Sequence, residues 1–210
     1  MTINFLGDSI TEGAGTNGPE ETYAYLVGKR LSATVHAYGL GGTRIARQSK
    51  PSSEPQYDRD FLMRAKEMGA ADFTFVFGGT NDYGHGDAEI GKMGDETPYT
   101  FYGALDLLTR DLMQRYGRER VCFILPLPRV GEDNVYGEGN KEKPSLPLKG
   151  YTAVIKEVLD ACGIAYLDLR APFLAGGLAA LTADGLHPNA AGNRIIADAV
   201  CDYLQTKTER

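Results

Sequence analysis

The chain has 210 residues, 42% of them hydrophobic and 24% charged, with a net charge of -6. This is enough for one domain with a sizeable core, and it is too acidic for a nucleic-acid surface. No apolar run approaches the roughly 18 residues of a membrane span.

The first element is an apolar run at 3–7 (INFLG) that ends on Gly7-Asp8-Ser9. No basic n-region lies ahead of it, so a secretory leader is not expected. Ser9 followed by Glu12 fits the capping box S/T-x-x-E, so Ser9 is a candidate helix cap as well as a candidate nucleophile. A helical pattern at 22–31 leads to a second apolar run, 33–39 (ATVHAYG). A pattern at 57–69 leads to a third, 72–79 (DFTFVFGG). A pattern at 100–117 leads to a fourth, 120–126 (RVCFILP), and one at 146–163 to a fifth, 163–169 (GIAYLDL). A helical segment at 190–204 closes the series. Cys122, Cys162 and Cys201 form no C-x-x-C and read as reduced thiols, with Cys122 in the core, which makes cytoplasm the expected location.

Strand and helix alternate throughout. The pattern predicts an α/β fold, a parallel five-stranded sheet with helices on both faces and right-handed crossovers, with a flavodoxin-like strand order preferred. Ligands of such sheets bind outside the carboxyl ends of the strands. Three long polar connections, 47–56, 83–98 and 129–144, follow strand ends and belong to that rim.

Chemistry-bearing residues collect at the same edge. Asp8 and Ser9 follow the first strand, and Gly39, Gly41 and Gly42 follow the second. Asn81 and Asp82 follow the third, and Asp184 and His187 precede the last helix. Acyl transfer needs a hydroxyl with a base in reach, an acceptor that holds the base in one tautomer, and donors for the oxyanion. Ser9, His187 and Asp184 suit the first two needs. The Ser9 and Gly42 N–H groups and the Asn81 carboxamide suit the third. Each stretch also has a plain structural reading: Asp184-Gly185 and Asn81-Asp82 as turns, His187-Pro188 as a helix entry, Gly39 to Gly42 as a tight turn.

GDSIT at the N-terminus, the glycine turn ending in Gly42, GTND with Asn81, and DGLHP near the C-terminus resemble, in order, the four blocks of the SGNH (GDSL-like) hydrolases. The resemblance implies a three-layer α/β/α fold and a lipase-like esterase without a cofactor. It makes Ser9 the nucleophile, Asp184 and His187 its partners, and Ser9, Gly42 and Asn81 the oxyanion hole. Ile10 replaces the Leu of the motif name, and Ala37 stands where the family often has Asn. The elbow G-x-S-x-G of ordinary α/β-hydrolases is absent.

Of three histidines, His36 is expected in the core or facing a helix and His85 on a substrate-facing loop; Asp8 and Tyr83 are further candidates for substrate contact. A metal site from His85, Asp82, Asp87, Glu89 and Asp95 lacks H-x-x-x-H spacing, and no metal is expected. Tyr-rich, polar rim loops lean toward short acyl esters of a polar small molecule such as a sugar. Long-chain lysophospholipase or thioesterase activity, and a non-catalytic flavodoxin-like ligand-binding protein, stay open, as does assembly into a homo-oligomer.

Overall fold

The computed structural model describes residues 1–208. The five apolar runs are strands, β1 (Thr2–Gly7), β2 (Thr34–Gly39), β3 (Phe73–Phe77), β4 (Val121–Ile124) and β5 (Ala165–Leu167). They form one parallel sheet in the order β2-β1-β3-β4-β5. Between and after them lie helices α1 (Ser9–Glu12), α2 (Tyr23–Leu31), α3 (Phe61–Ala65), α4 (Thr80–His85), α5 (Phe101–Tyr116), α6 (Leu148–Cys162), α7 (Arg170–Gly176), α8 (Leu178–Leu181) and α9 (Ala190–Thr208).

Successive strand side chains point to opposite faces, and here both faces are apolar. Phe5, Phe75, Phe77, Cys122 and Ile124 meet Val27 of α2 and Ile196 and Val200 of α9. Leu6, Val76, Val121 and Phe123 meet Phe61 of α3, Leu105 and Leu108 of α5, and Ile155 and Val158 of α6. Two cores thus flank the sheet, and the result is the three-layer α/β/α arrangement. Each fully buried aromatic or aliphatic side chain contributes about 1.5–3 kcal/mol of transfer energy. Cys122, Cys162 and Cys201 are free.

The strand order decides where a ligand can lie. From β1 the chain moves outward to β2, then crosses back to place β3 on the other side of β1, so the topological switch falls between β1 and β3. Gly7 is in register with Gly39 of β2 and with Phe77 of β3. The segments that follow these three residues therefore leave the sheet at one level.

Some local expectations are corrected. The 57–69 pattern does not form one helix: Pro55–Asp58 is a 3-10 turn, and α3 starts afresh at Phe61. Asp60 causes the restart, since its carboxylate accepts from the Met63 N–H at 2.8 Å and caps the new helix. His36 is exposed rather than in the core, because β2 is an edge strand. The start of the 83–98 connection is helical, as the last part of α4. Among the described residues no helix is long and apolar enough to cross a membrane.

Candidate active site

Asp8, not Ser9, caps α1: Asp8 Oδ1 accepts from the Ile10 N–H at 3.0 Å, and Ser9 becomes the first helical residue. The Ser9 hydroxyl is thereby released from capping and lies 3.0 Å from His187 Nε2. On the other side of the ring, His187 Nδ1 is 2.6 Å from Asp184 Oδ2. Burial raises the Asp184 carboxyl, but hydrogen bonds from the His187 ring and from the His187 and Leu186 N–H groups outweigh it and hold the group at about 2. An ionised carboxylate can only accept. The proton therefore sits on Nδ1, and Nε2 is left to accept from the Ser9 hydroxyl.

The loop that carries His187 is closed on itself. Thr182 pairs with Pro188, the Ala183 N–H donates to the His187 carbonyl at 2.8 Å, and Gly185 N–H donates to Thr182 Oγ1 at 3.0 Å. Helix α9 begins two residues beyond the expected Pro188 entry: Asn189 Oδ1 accepts from Ala191 N–H at 2.9 Å and caps it. Buried Asn193 then donates to the Pro188 carbonyl at 2.9 Å and accepts from Tyr23 N–H at 2.8 Å, which ties the loop to α2. Sequence reasoning missed Asn193; its signal is an amide on the otherwise apolar face of the last helix.

The glycine turn after β2 lies against α1. A Cβ at Gly41 would come within 3.6 Å of Ser9 Cβ, and the Gly41 N–H donates to Glu12 Oε2 at 3.0 Å. Gly42 has φ of 72°, a left-handed backbone that only glycine adopts cheaply, and a Cβ there would meet the Tyr57 ring at 2.8 Å. The Ser9 and Gly42 N–H groups donate no hydrogen bond among the described residues. Asn81 Nδ2 gives one N–H to the Thr43 carbonyl at 2.9 Å and keeps the other. Three unused donors thus lie on three segments that follow the ends of β1, β2 and β3.

Support for the turn comes from Arg64, another residue that sequence reasoning passed over. It is buried and donates to Thr43 Oγ1 at 2.8 Å, to the Gly7 carbonyl at 2.9 Å and to the Tyr38 carbonyl. The Ala37 departure therefore leaves the turn held by Arg64 and Glu12. The visible signal was a cation within the apolar stripe of the 57–69 pattern.

The three extra candidates for substrate contact fall elsewhere. Asp8 is buried, and burial pushes its carboxyl up to about 6. Tyr83 is a core residue 1% exposed, whose hydroxyl donates to the Gly131 carbonyl at 2.5 Å and holds the 129–144 loop. His85 lines a cavity of about 990 Å³ between the rim loops, whose wall includes neither Ser9 nor His187. The 47–56 and 83–98 loops are joined by Asp87, which accepts from Ser49 N–H at 2.9 Å, Ser49 Oγ at 2.8 Å and Lys50 N–H at 2.8 Å. Lys50 pairs with Glu142 of the third loop at 2.6 Å. Among the described residues no group of three His, Cys, Asp or Glu side chains is arranged to hold a metal ion.

A parallel sheet in this order thus carries a hydroxyl, an imidazole and a carboxylate in one hydrogen-bonded line outside its strand ends, where ligands of such sheets bind. The chain belongs to the GDSL-like Lipase/Acylhydrolase family, whose model matches residues 5–195, and it is a carboxylic ester hydrolase. No curated relative matches it. Among solved structures it is similar to a protein from Lactobacillus plantarum at 28% identity and TM-score 0.78, over 97% of this chain and 96% of that one. It is similar to an acetyl xylan esterase, AlAXEase, at 23% identity and TM-score 0.64, over 96% and 98%. A carbohydrate acetylesterase family member from Sinorhizobium meliloti matches at 19% identity and TM-score 0.64, over 98% and 97%. The last two are likenesses of fold.

Proposed function

We propose that the protein hydrolyses short acyl esters, acetyl esters foremost, of a polar or carbohydrate alcohol through an acyl-enzyme on Ser9. The observation that carries this is the continuous line Ser9 Oγ, His187 Nε2, His187 Nδ1, Asp184 Oδ2, with links of 3.0 and 2.6 Å. Ser9 Oγ attacks the ester carbonyl as its proton passes to His187 Nε2, and Asp184 stabilises the imidazolium. The oxyanion accepts from the Ser9 N–H, the Gly42 N–H and the second Asn81 amide N–H. Collapse expels the alcohol, which takes the proton from His187. Water, deprotonated by the same imidazole, then releases the acid and restores Ser9.

The substrate class rests on the rim. The cavity between the rim loops carries charged and polar side chains, among them Arg44, Asp87 and Lys141, which suits a hydroxyl-rich alcohol better than a lipid tail. The acetylesterases that share the fold act in the same sense.

The test is hydrolysis of p-nitrophenyl acetate and p-nitrophenyl octanoate. Wild type should prefer the acetyl ester, and Ser9→Ala and His187→Ala should lose nearly all turnover while keeping the wild-type circular dichroism spectrum. Near-normal rates in Ser9→Ala would discard the covalent mechanism, and faster octanoyl turnover would discard the short-acyl assignment.

A further inference from the structure

The cavity holds two sequestered cations with no carboxylate within 4 Å among the described residues, Arg44 and Lys141. This is unusual, because buried charges are normally paired. Arg44 is 8% exposed. It donates through Nε and Nη2 to His85 Nδ1, at 3.2 and 2.7 Å, and through Nη1 to the Tyr57 carbonyl at 3.2 Å. Of the five N–H groups of a guanidinium, two are left over. Lys141 Nζ donates to the Asp82 carbonyl at 2.7 Å and to the Tyr151 hydroxyl at 2.9 Å, which leaves one N–H.

His85 adds a donor to this set. Both of its Arg44 contacts come from guanidinium N–H groups, so Nδ1 must accept, and the ring proton lies on Nε2, which makes no hydrogen bond among the described residues. Burial first, then the charge of Arg44, hold His85 down at about 4, so the ring is neutral near pH 7. Burial likewise lowers Lys141 to about 8, and it stays charged at that pH.

Asp82 and Asp87 attract both cations from a distance, and Asp58 and Glu138 attract Arg44, but among the described residues none of these carboxylates accepts a hydrogen bond from either cation. Asp87 is occupied by Ser49 and the Lys50 N–H, and Glu142 is paired with Lys50; Glu89 is exposed. What remains is a surface of donors drawn from Arg44, Lys141 and His85. A group that only accepts, and that carries negative charge, is its chemical complement. Position ties it to the reaction: Arg44 is two residues beyond Gly42, and His85 follows Asn81 by four residues of α4, a rise of about 6 Å.

We propose that this cavity is a subsite for an anionic oxyacid group, carboxylate or phosphate, carried by the alcohol part of the ester. The assignment to substrate rests on the esterase function proposed above; the anion site itself does not. The cavity then serves as a specificity determinant one helical turn from the oxyanion donors, selecting acid-bearing esters over neutral ones.

Calorimetric titration of the wild-type protein at pH 7 with sodium glucuronate, inorganic phosphate and neutral methyl glucoside tests the site. At least one anion should bind tenfold or more tighter than methyl glucoside, with affinity that falls as salt is raised. Glucuronate binding identifies a carboxylate site, and phosphate binding alone a phosphate site. Lys141→Met should weaken the anion tenfold or more. Anions that bind no better than methyl glucoside overturn the site, and that measurement needs no variant to fold. Given binding, kcat/KM for an O-acetylated ester of the preferred acid should exceed that for O-acetyl methyl glucoside at least tenfold; equal values overturn the assignment to substrate. A protein that binds the anion yet hydrolyses no ester would lose the esterase function and keep the site.

Discussion

Replacing Asp8 by Asn tests how the nucleophile turn is built. Asp8 is fully buried beneath Ser9, one oxygen accepts from Ile10 N–H, and the other has no partner. An asparagine keeps the accepting oxygen, removes the charge and puts an NH2 group in place of the unpartnered oxygen, a change that does not vary with pH. Desolvation by burial raises the carboxyl from 3.8 to about 6, against the opposing pull of the Ile10 bond and the His187 charge. Because the folded-state value is raised, the carboxyl favours the fold below pH 3.8, and that contribution is lost as pH rises through about 6. The stability of Asp8→Asn relative to wild type should therefore grow from about 1 kcal/mol at pH 4.5 to about 3 kcal/mol at pH 8. Urea unfolding of both proteins across that range measures the difference directly. The Asp8 carboxylate also acts electrostatically on His187, so the more stable variant should lose kcat severalfold, an exchange of stability for function that active sites commonly show. A difference that stays flat with pH, or a variant less stable at pH 8, would refute the claim that this site holds an unfavourable charge.

Two further substitutions address the donors and the base. Asn81→Ala should cost on the order of 10²–10³ in kcat with a smaller change in KM, as expected for a donor used in the transition state; steady-state kinetics on p-nitrophenyl acetate decide it. Gly15 has φ of 90°, and a Cβ there would lie 2.8 Å from the His187 carbonyl oxygen. Gly15→Ala should therefore displace the His187 loop, lowering both Tm and kcat, whereas unchanged kcat would show that the loop is positioned without it.

Much of this molecule was legible in the one-dimensional chain. Five apolar runs with β-branched and aromatic residues, separated by helical periodicities, determined the class of fold, because alternation of the two buries both sheet faces at once. Ser9, Asp184 and His187, which the structure links by hydrogen bonds, stood out in the sequence because acyl transfer restricts residue types and the parallel sheet restricts their place. Short-range patterns did less well. Asp60 splits an apolar stripe that looked continuous, and Asp8 takes the capping role for which Ser9 and Glu12 appeared suited.

Only tertiary structure decided the rest, and the common reason is pairing between residues distant in the chain. Strand order put β2 at an edge and exposed His36. Packing buried Tyr83, which reads from its loop-like surroundings as a surface residue. Arg64 and Asn193 support the site through backbone carbonyls contributed by other segments, a relation that leaves no spacing signature. That no carboxylate among the described residues lies within 4 Å of Arg44 or Lys141 is likewise a fact of three-dimensional neighbours, since the loops around them contain acidic residues in plenty. Residue types thus set which chemistry was available, and long-range packing set which groups were free to perform it.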